Sequence, residues 1–97
     1  MAIELHAELR AELGKEKMKK LRGANRLPAN IYGGKFEPRL ISLDLHNTEL
    51  LLKEHGKNGD YAVVLEGQSF PVRIQEVATE PVHKHLLHID FVVRSDA

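Results

Sequence analysis

Residues 3 to 10 alternate strictly, with Ile3, Leu5, Ala7 and Leu9 on one side and Glu4, His6, Glu8 and Arg10 on the other. A period of two is that of a strand with one buried face. Gly14 closes this stretch. Between Gly14 and Gly23 the only apolar residues are Met18 and Leu21, three apart, enough for a short helix or an ordered loop. Gly23 and Asn25 break that segment, and after Pro28 a second extended stretch runs from Ala29 to Tyr32. Gly33-Gly34 signals a turn. Beyond Pro38 a further strand is predicted over Leu40 to Leu45.

Next comes the only clear helical pattern. Asn47 or Thr48 supplies an N-cap, Glu49 falls in the first turn, and Leu50, Leu51 and Leu52 provide an apolar face. Gly56 and the Asn58-Gly59 pair end it. Tyr61 to Leu65 reads as a strand, Glu66-Gly67-Gln68 as a tight turn, and Ser69 to Val77 as the returning arm of a hairpin. Along that arm Phe70, Val72 and Ile74 face inward, so Arg73 and Gln75 point out. Thr79 to Lys84, with Pro81, reads as a loop. The last strand, Leu86 to Arg94, turns Leu87, Ile89, Phe91 and Val93 inward and His88 and Asp90 outward. Five or six short strands with one helix indicate a β-barrel or another β-rich α+β fold. With 97 residues, no repeat and no composition break, the pattern predicts a single domain over residues 1–97.

Composition narrows the function classes. There is no cysteine, which excludes a disulfide framework, thiolate metal sites and thiol catalysis. No apolar stretch approaches the eighteen or so residues that span a bilayer, and the N-terminus lacks a signal-peptide pattern, so a cytoplasmic location is expected. Formal net charge is zero, yet the charges are not mixed evenly. Residues 14 to 39 carry eight basic residues (Lys15, Lys17, Lys19, Lys20, Arg22, Arg26, Lys35 and Arg39) against Glu16 and Glu37, a local charge of +6 balanced by −6 elsewhere. Such polarity suits a chain that presents one side to a polyanion.

Enzymatic chemistry finds little support. The stretch GKEKMKK lacks the spacing of a phosphate-binding loop. His83, His85 and His88 are close in sequence, but on an extended chain His88 points away from the other two, which leaves no metal site. Ser42, Ser69 and Ser95 stand in no nucleophile motif, and no carboxylate pair is spaced for acid–base work. We therefore expect no catalysis, no metal and no cofactor. The basic stretch, flanked by glycines that let backbone approach a phosphate, favours nucleic-acid binding. The alternative is a basic protein-interaction or stress-response module that docks an acidic partner protein.

Taken as one string, GKEKMKKLRGANRLPANIYGGK is more specific than its charge. Gly14-Lys15, Lys19-Lys20-Leu21-Arg22 and Pro28-Ala29-Asn30-Ile31-Tyr32-Gly33-Gly34, followed at the right separation by His88-Ile89-Asp90-Phe91, resemble the bacterial large-subunit ribosomal proteins that bind 5S rRNA. That family includes general-stress relatives with an additional C-terminal domain. The resemblance runs from about residue 3 to residue 94 and is to the short, single-domain form. It implies a barrel of about six strands with small helices, similar to an anticodon-binding domain of certain tRNA synthetases. It also implies a non-catalytic constituent of the large ribosomal subunit, a monomer when free, that contacts 5S rRNA and neighbouring ribosomal proteins. Carried over residue by residue, the RNA contacts would be Arg10, Lys15, Lys19, Lys20, Arg22, Tyr32, Arg73, Gln75, His88 and Asp90.

Overall fold

The structure, a computed structural model, describes residues 2–9, 23–34, 36–82 and 85–94. Within them lie six strands: β1 (Ile3–Leu9), β2 (Arg26–Gly33), β3 (Phe36–Asp44), β4 (Tyr61–Leu65), β5 (Gln68–Thr79) and β6 (Leu86–Val93). One helix, α1 (Leu45–His55), separates β3 from β4. The strands close into a barrel in the order β1-β3-β2-β6-β5-β4, with β4 returning to β1. Four seams are antiparallel; β2–β6 and β1–β4 are parallel. The expected β-rich α+β barrel of six strands is what the chain forms.

Alternation fills its interior. Leu5, Leu27, Ala29, Ile31, Ile41, Leu43, Tyr61, Val63, Leu65, Val72, Leu86, Ile89 and Phe91 form one buried cluster. In a six-stranded barrel the inward side chains meet one another across a narrow lumen and leave no channel. Burying each large apolar side chain stabilises the fold by roughly 1.5–3 kcal/mol. The β4–β5 hairpin shows how tightly local chemistry sets the register. Glu66 and Gly67 both have positive φ, 51° and 80°, as in the primed two-residue turns whose twist matches that of paired strands. Leu65 therefore pairs with Gln68, and the turn is one residue shorter than its sequence suggests.

Several boundaries differ from the sequence expectation. β2 begins at Arg26 and passes through Pro28. A proline is compatible there because the ladder to β6 starts only at Ala29. β3 likewise starts before Pro38, at a level where the described β1–β3 pairs have not begun. The helix cap is Asp44, whose Oδ1 accepts the Asn47 N–H at 2.8 Å; Thr48, an expected cap, is buried inside the helix. Leu45 is thus the first helical residue and not the last of a strand. At its other end α1 stops at Gly56, φ 75°, whose N–H reaches the Leu52 carbonyl. Leu51 and Leu52 pack on the barrel core, but Leu50 is 47% exposed, so the three-leucine face is narrower than its sequence implies.

The last strand also departs from simple alternation. Thr79 pairs with Leu86 and Ala78 with His88, so Leu87 has no opposite residue. Leu86 joins the core in place of Leu87, which is only half-buried. Beyond that bulge the expected parity resumes with Ile89 and Phe91 inside.

Candidate nucleic-acid interface

Three adjacent strands, β2, β6 and β5, carry the described candidate residues. Ala29, Ile31, Ile89, Phe91 and Val72 are buried, so the intervening positions point outward. Register then places them in rows. Tyr32 lies opposite Val92, and Val92 opposite Arg73. One step along, Asn30 lies opposite Asp90, and Asp90 opposite Glu76. A further step brings His88 opposite Ala78. Neighbouring strands are about 4.8 Å apart and outward residues on one strand about 7 Å apart. Tyr32, Arg73, His88 and Asp90 therefore share one patch on the scale of a few nucleotides.

Gln75 reaches the same patch by a bulge. Ile74 pairs with Phe91 and Glu76 with Asp90, so Gln75 is an extra residue on β5. Gln75 and Glu76 are both exposed, and Val77 returns to the core side beside Ile89. A bulge of this kind re-aims side chains locally while keeping the flanking pairs in register. Alternation alone places Gln75 outward; it does not reveal that Glu76 stands outward beside it.

Asp90 is the best-anchored polar group of the patch. Its side chain is 19% exposed, its Oδ1 accepts from Asn30 Nδ2 at 3.0 Å, and His88 Nδ1 lies 3.7 Å from the same oxygen. That last separation is too long for a hydrogen bond, and His88 Nδ1 is itself buried without one. The nearby carboxylate favours a proton on Nδ1, which leaves Nε2 as an acceptor in the neutral ring. Asp90 thus orients Asn30, and an acid on a face otherwise suited to an anion acquires a physical reason. Asn30 was not singled out by sequence, although its parity with Tyr32 on β2 marks it as outward.

The basic stretch is divided. Arg10, Lys15, Lys19, Lys20 and Arg22 lie outside the described residues, as do Lys17, Lys35 and His83. Arg26 serves the barrel: its Nη2 donates to the Ser42 carbonyl at 2.9 Å and Oγ at 3.1 Å, and sits 3.9 Å from Glu8. Arg39 pairs with Glu66 at 3.5 Å. Gly33 has a structural reason of its own. At φ 128° a Cβ would come within 2.9 Å of Val92 Cγ1 and 3.1 Å of the Val93 nitrogen, so glycine lets β2 and β6 close. Among the described residues there is no group of three or more potential metal ligands and no helix long and apolar enough to cross a membrane.

Beside the patch, β5 outruns its partner. Tyr61 pairs with Val72 at the start of β4, and β5 continues to Thr79. A cleft of about 390 Å³ occupies this corner, bordered by Arg73 and Gln75, by Arg94, and by the turn from Lys57 to Asp60. That turn is firmly held. Tyr61, fully buried, donates its hydroxyl to the Gly56 carbonyl at 2.7 Å, and its ring lies so close to Gly59 that a Cβ there would come within 2.9 Å. Burial pushes the Tyr61 phenol pKa up from its ordinary value, because the phenolate would lose hydration.

Comparison with known proteins adds an independent finding. The model of the Ribosomal L25p family matches residues 5–91. The protein named large ribosomal subunit protein bL25 of Bifidobacterium longum subsp. infantis is 34% identical over 90 residues, covering 93% of this chain and 42% of that protein. Its namesake in Oceanobacillus iheyensis is 31% identical over 93 residues, covering 96% of this chain and 43% of that protein. The chain spans less than half the length of these relatives.

Proposed function

The chain belongs to the ribosomal L25p family, and from that premise we propose that it is a constituent of the large ribosomal subunit, in the cytoplasm, that binds 5S rRNA through the outward face of β2, β6 and β5. The observation that carries this reading is convergence. Tyr32, Arg73, Gln75, His88 and Asp90, scattered over 59 positions of sequence, occupy one side of three neighbouring strands.

RNA geometry suggests their roles. An A-form helix buries its major-groove edges and displays 2′-hydroxyls and base edges in a wide, shallow minor groove. The convex outer face of a barrel can lie against such a surface. Gln75 both donates and accepts, and His88 offers Nε2, so these two read base edges or 2′-hydroxyls. Arg73 contacts backbone phosphates, and Tyr32 stacks or donates its hydroxyl. Asp90 sets the orientation of Asn30. Arg10, Lys15, Lys19, Lys20 and Arg22 add phosphate contacts that supply affinity and little sequence discrimination.

The test is binding to 5S rRNA across a salt series. With about five phosphates contacted, log affinity falls against log salt with a slope of very roughly −3 to −5, on nucleic-acid counterion coefficients. A flat response, or no preference for 5S rRNA over an unrelated duplex, overturns the reading. Co-sedimentation with large ribosomal subunits separates it from docking on an acidic protein.

A further inference from the structure

We propose that the cleft between β5 and the turn after α1 is a phosphate-binding site that adjoins the base-reading patch and shares Arg73 and Gln75 with it. Its border carries three cations, Lys57, Arg73 and Arg94, against one carboxylate, Asp60. Asp60 is already engaged, accepting from Arg94 Nη1 at 3.0 Å. Among the described residues neither Lys57 nor Arg73 has an ion-pair partner. Two cations without ion-pair partners among the described residues thus border a concavity whose remaining polar lining, Asn58 and Gln75, brings amide donors. Its volume exceeds that of a single phosphate group, so the oxyanion can enter with the atoms attached to it.

Two features of the fold bear on charge. α1 ends at this turn, and a helix C-terminus carries partial negative charge that would repel an anion. Here the Gly56 carbonyl is occupied by the Tyr61 hydroxyl at 2.7 Å and the Gly59 N–H at 3.4 Å, which blunts that effect. Preorganisation is the second feature. The turn is fixed at both ends, because Gly56 N–H reaches Leu52 and the Asp60 carbonyl accepts the Ile3 N–H at 2.7 Å. Donors that need not be ordered on binding lose less entropy when the ligand arrives.

The phosphate has two sources. One is the backbone of an RNA strand lying on the patch, since Arg73 and Gln75 border both regions; this source rests on the proposed function. The other is a free phosphorylated small molecule. Two experiments on the intact chain distinguish them. In the first, amide spectra are recorded during titration with inorganic phosphate and, separately, with sodium chloride at matched ionic strength. Shifts confined to residues 57–60, 73–75 and 94, and specific to phosphate, are expected. In the second, Lys57→Gln is compared with Lys53→Gln in the 5S rRNA salt series. Loss of one backbone phosphate contact makes the slope shallower by about 0.7–0.9 for Lys57→Gln only.

If both effects occur, the site takes RNA backbone. Phosphate-specific shifts without a slope change, or with no RNA binding by the unaltered chain, leave a site for a free phosphate. In the latter case the proposed function fails while this inference survives. A cleft that responds equally to chloride and phosphate, together with an unchanged slope for Lys57→Gln, overturns the proposal.

Discussion

Asp90 and Glu76 are neighbours in register and opposites in circumstance. Asp90 is mostly buried and tied to Asn30, whereas Glu76 is exposed and has no ion-pair partner among the described residues. The two carboxylates therefore respond differently to neutralisation. Glu76→Gln removes a charge that repels phosphate and leaves the scaffold intact, so RNA affinity rises by about 1 kcal/mol or less, as for other exposed charges. Asp90→Asn loosens Asn30 and weakens binding to the cognate loop. Gln75→Ala and His88→Ala erode cognate preference by roughly 1–3 kcal/mol, borrowing the scale of base contacts. Titration of 5S rRNA and a mismatched loop against these four variants is the check. An equal loss on both RNAs for Gln75→Ala would reassign that residue to backbone contact. Outwardness of Gln75 and His88 was legible from alternation alone. Asn30 was legible as well, once Ala29 and Ile31 are seen to face inward. The pairing of Asp90 with Asn30 was not, because it depends on β2 and β6 lying parallel at a separation of 60 residues.

Elements were legible where short-range chemistry decides them. Tyr61 to Leu65 forms a strand with the bounds its sequence suggests, and Gly56 stops the helix as its position implies. Errors gathered where two local solutions compete. Asp44, Asn47 and Thr48 can all cap a helix, and only the end of β3 decides for Asp44. Leu86 and Leu87 are equally apolar, and only the bulge against Ala78 and Thr79 decides which enters the core. The junction between α1 and β4 carries a prediction. Tyr61→Phe removes the bond to the Gly56 carbonyl and costs about 1 kcal/mol of stability. Because burial raises the Tyr61 pKa above the unfolded value near 10, the native state holds its proton longer than the unfolded chain does. Stability contributed by the neutral phenol is complete below about pH 10 and is lost as pH rises through the folded pKa. Denaturant unfolding at pH 8 to 11.5 should show that decline in the parent and a flatter one in Tyr61→Phe. An equally steep decline in both would assign the alkaline loss to other groups.

At the scale of the whole molecule, closure matters more than any one strand. β1 pairs with β3 on one side and, in parallel, with β4 on the other, so the start of the described chain is held on both flanks. First strands of open sheets fray. Here hydrogen exchange of the β1 amides is expected to approach the protection of Ile31 and Phe91, since releasing β1 opens two seams together. Exchange of β1 at least a hundredfold faster than those core amides would show that the seams open separately. The extra residue in β5 lies where that strand is paired on one side only, with β6. Between Val72 and Thr79, one residue of chain length serves the outer face and not the lumen. Replacing Gln75 alters what the face can recognise. Deleting it would instead remove the bulge: Ile74, Glu76 and Val77 would then stand inward, outward and inward against Phe91, Asp90 and Ile89, so the core side of β5 would be kept while the outer face would lose one of two adjacent polar groups. Substitution there edits a word, whereas loss of the position closes the sentence over the gap and leaves the rest of the reading unchanged.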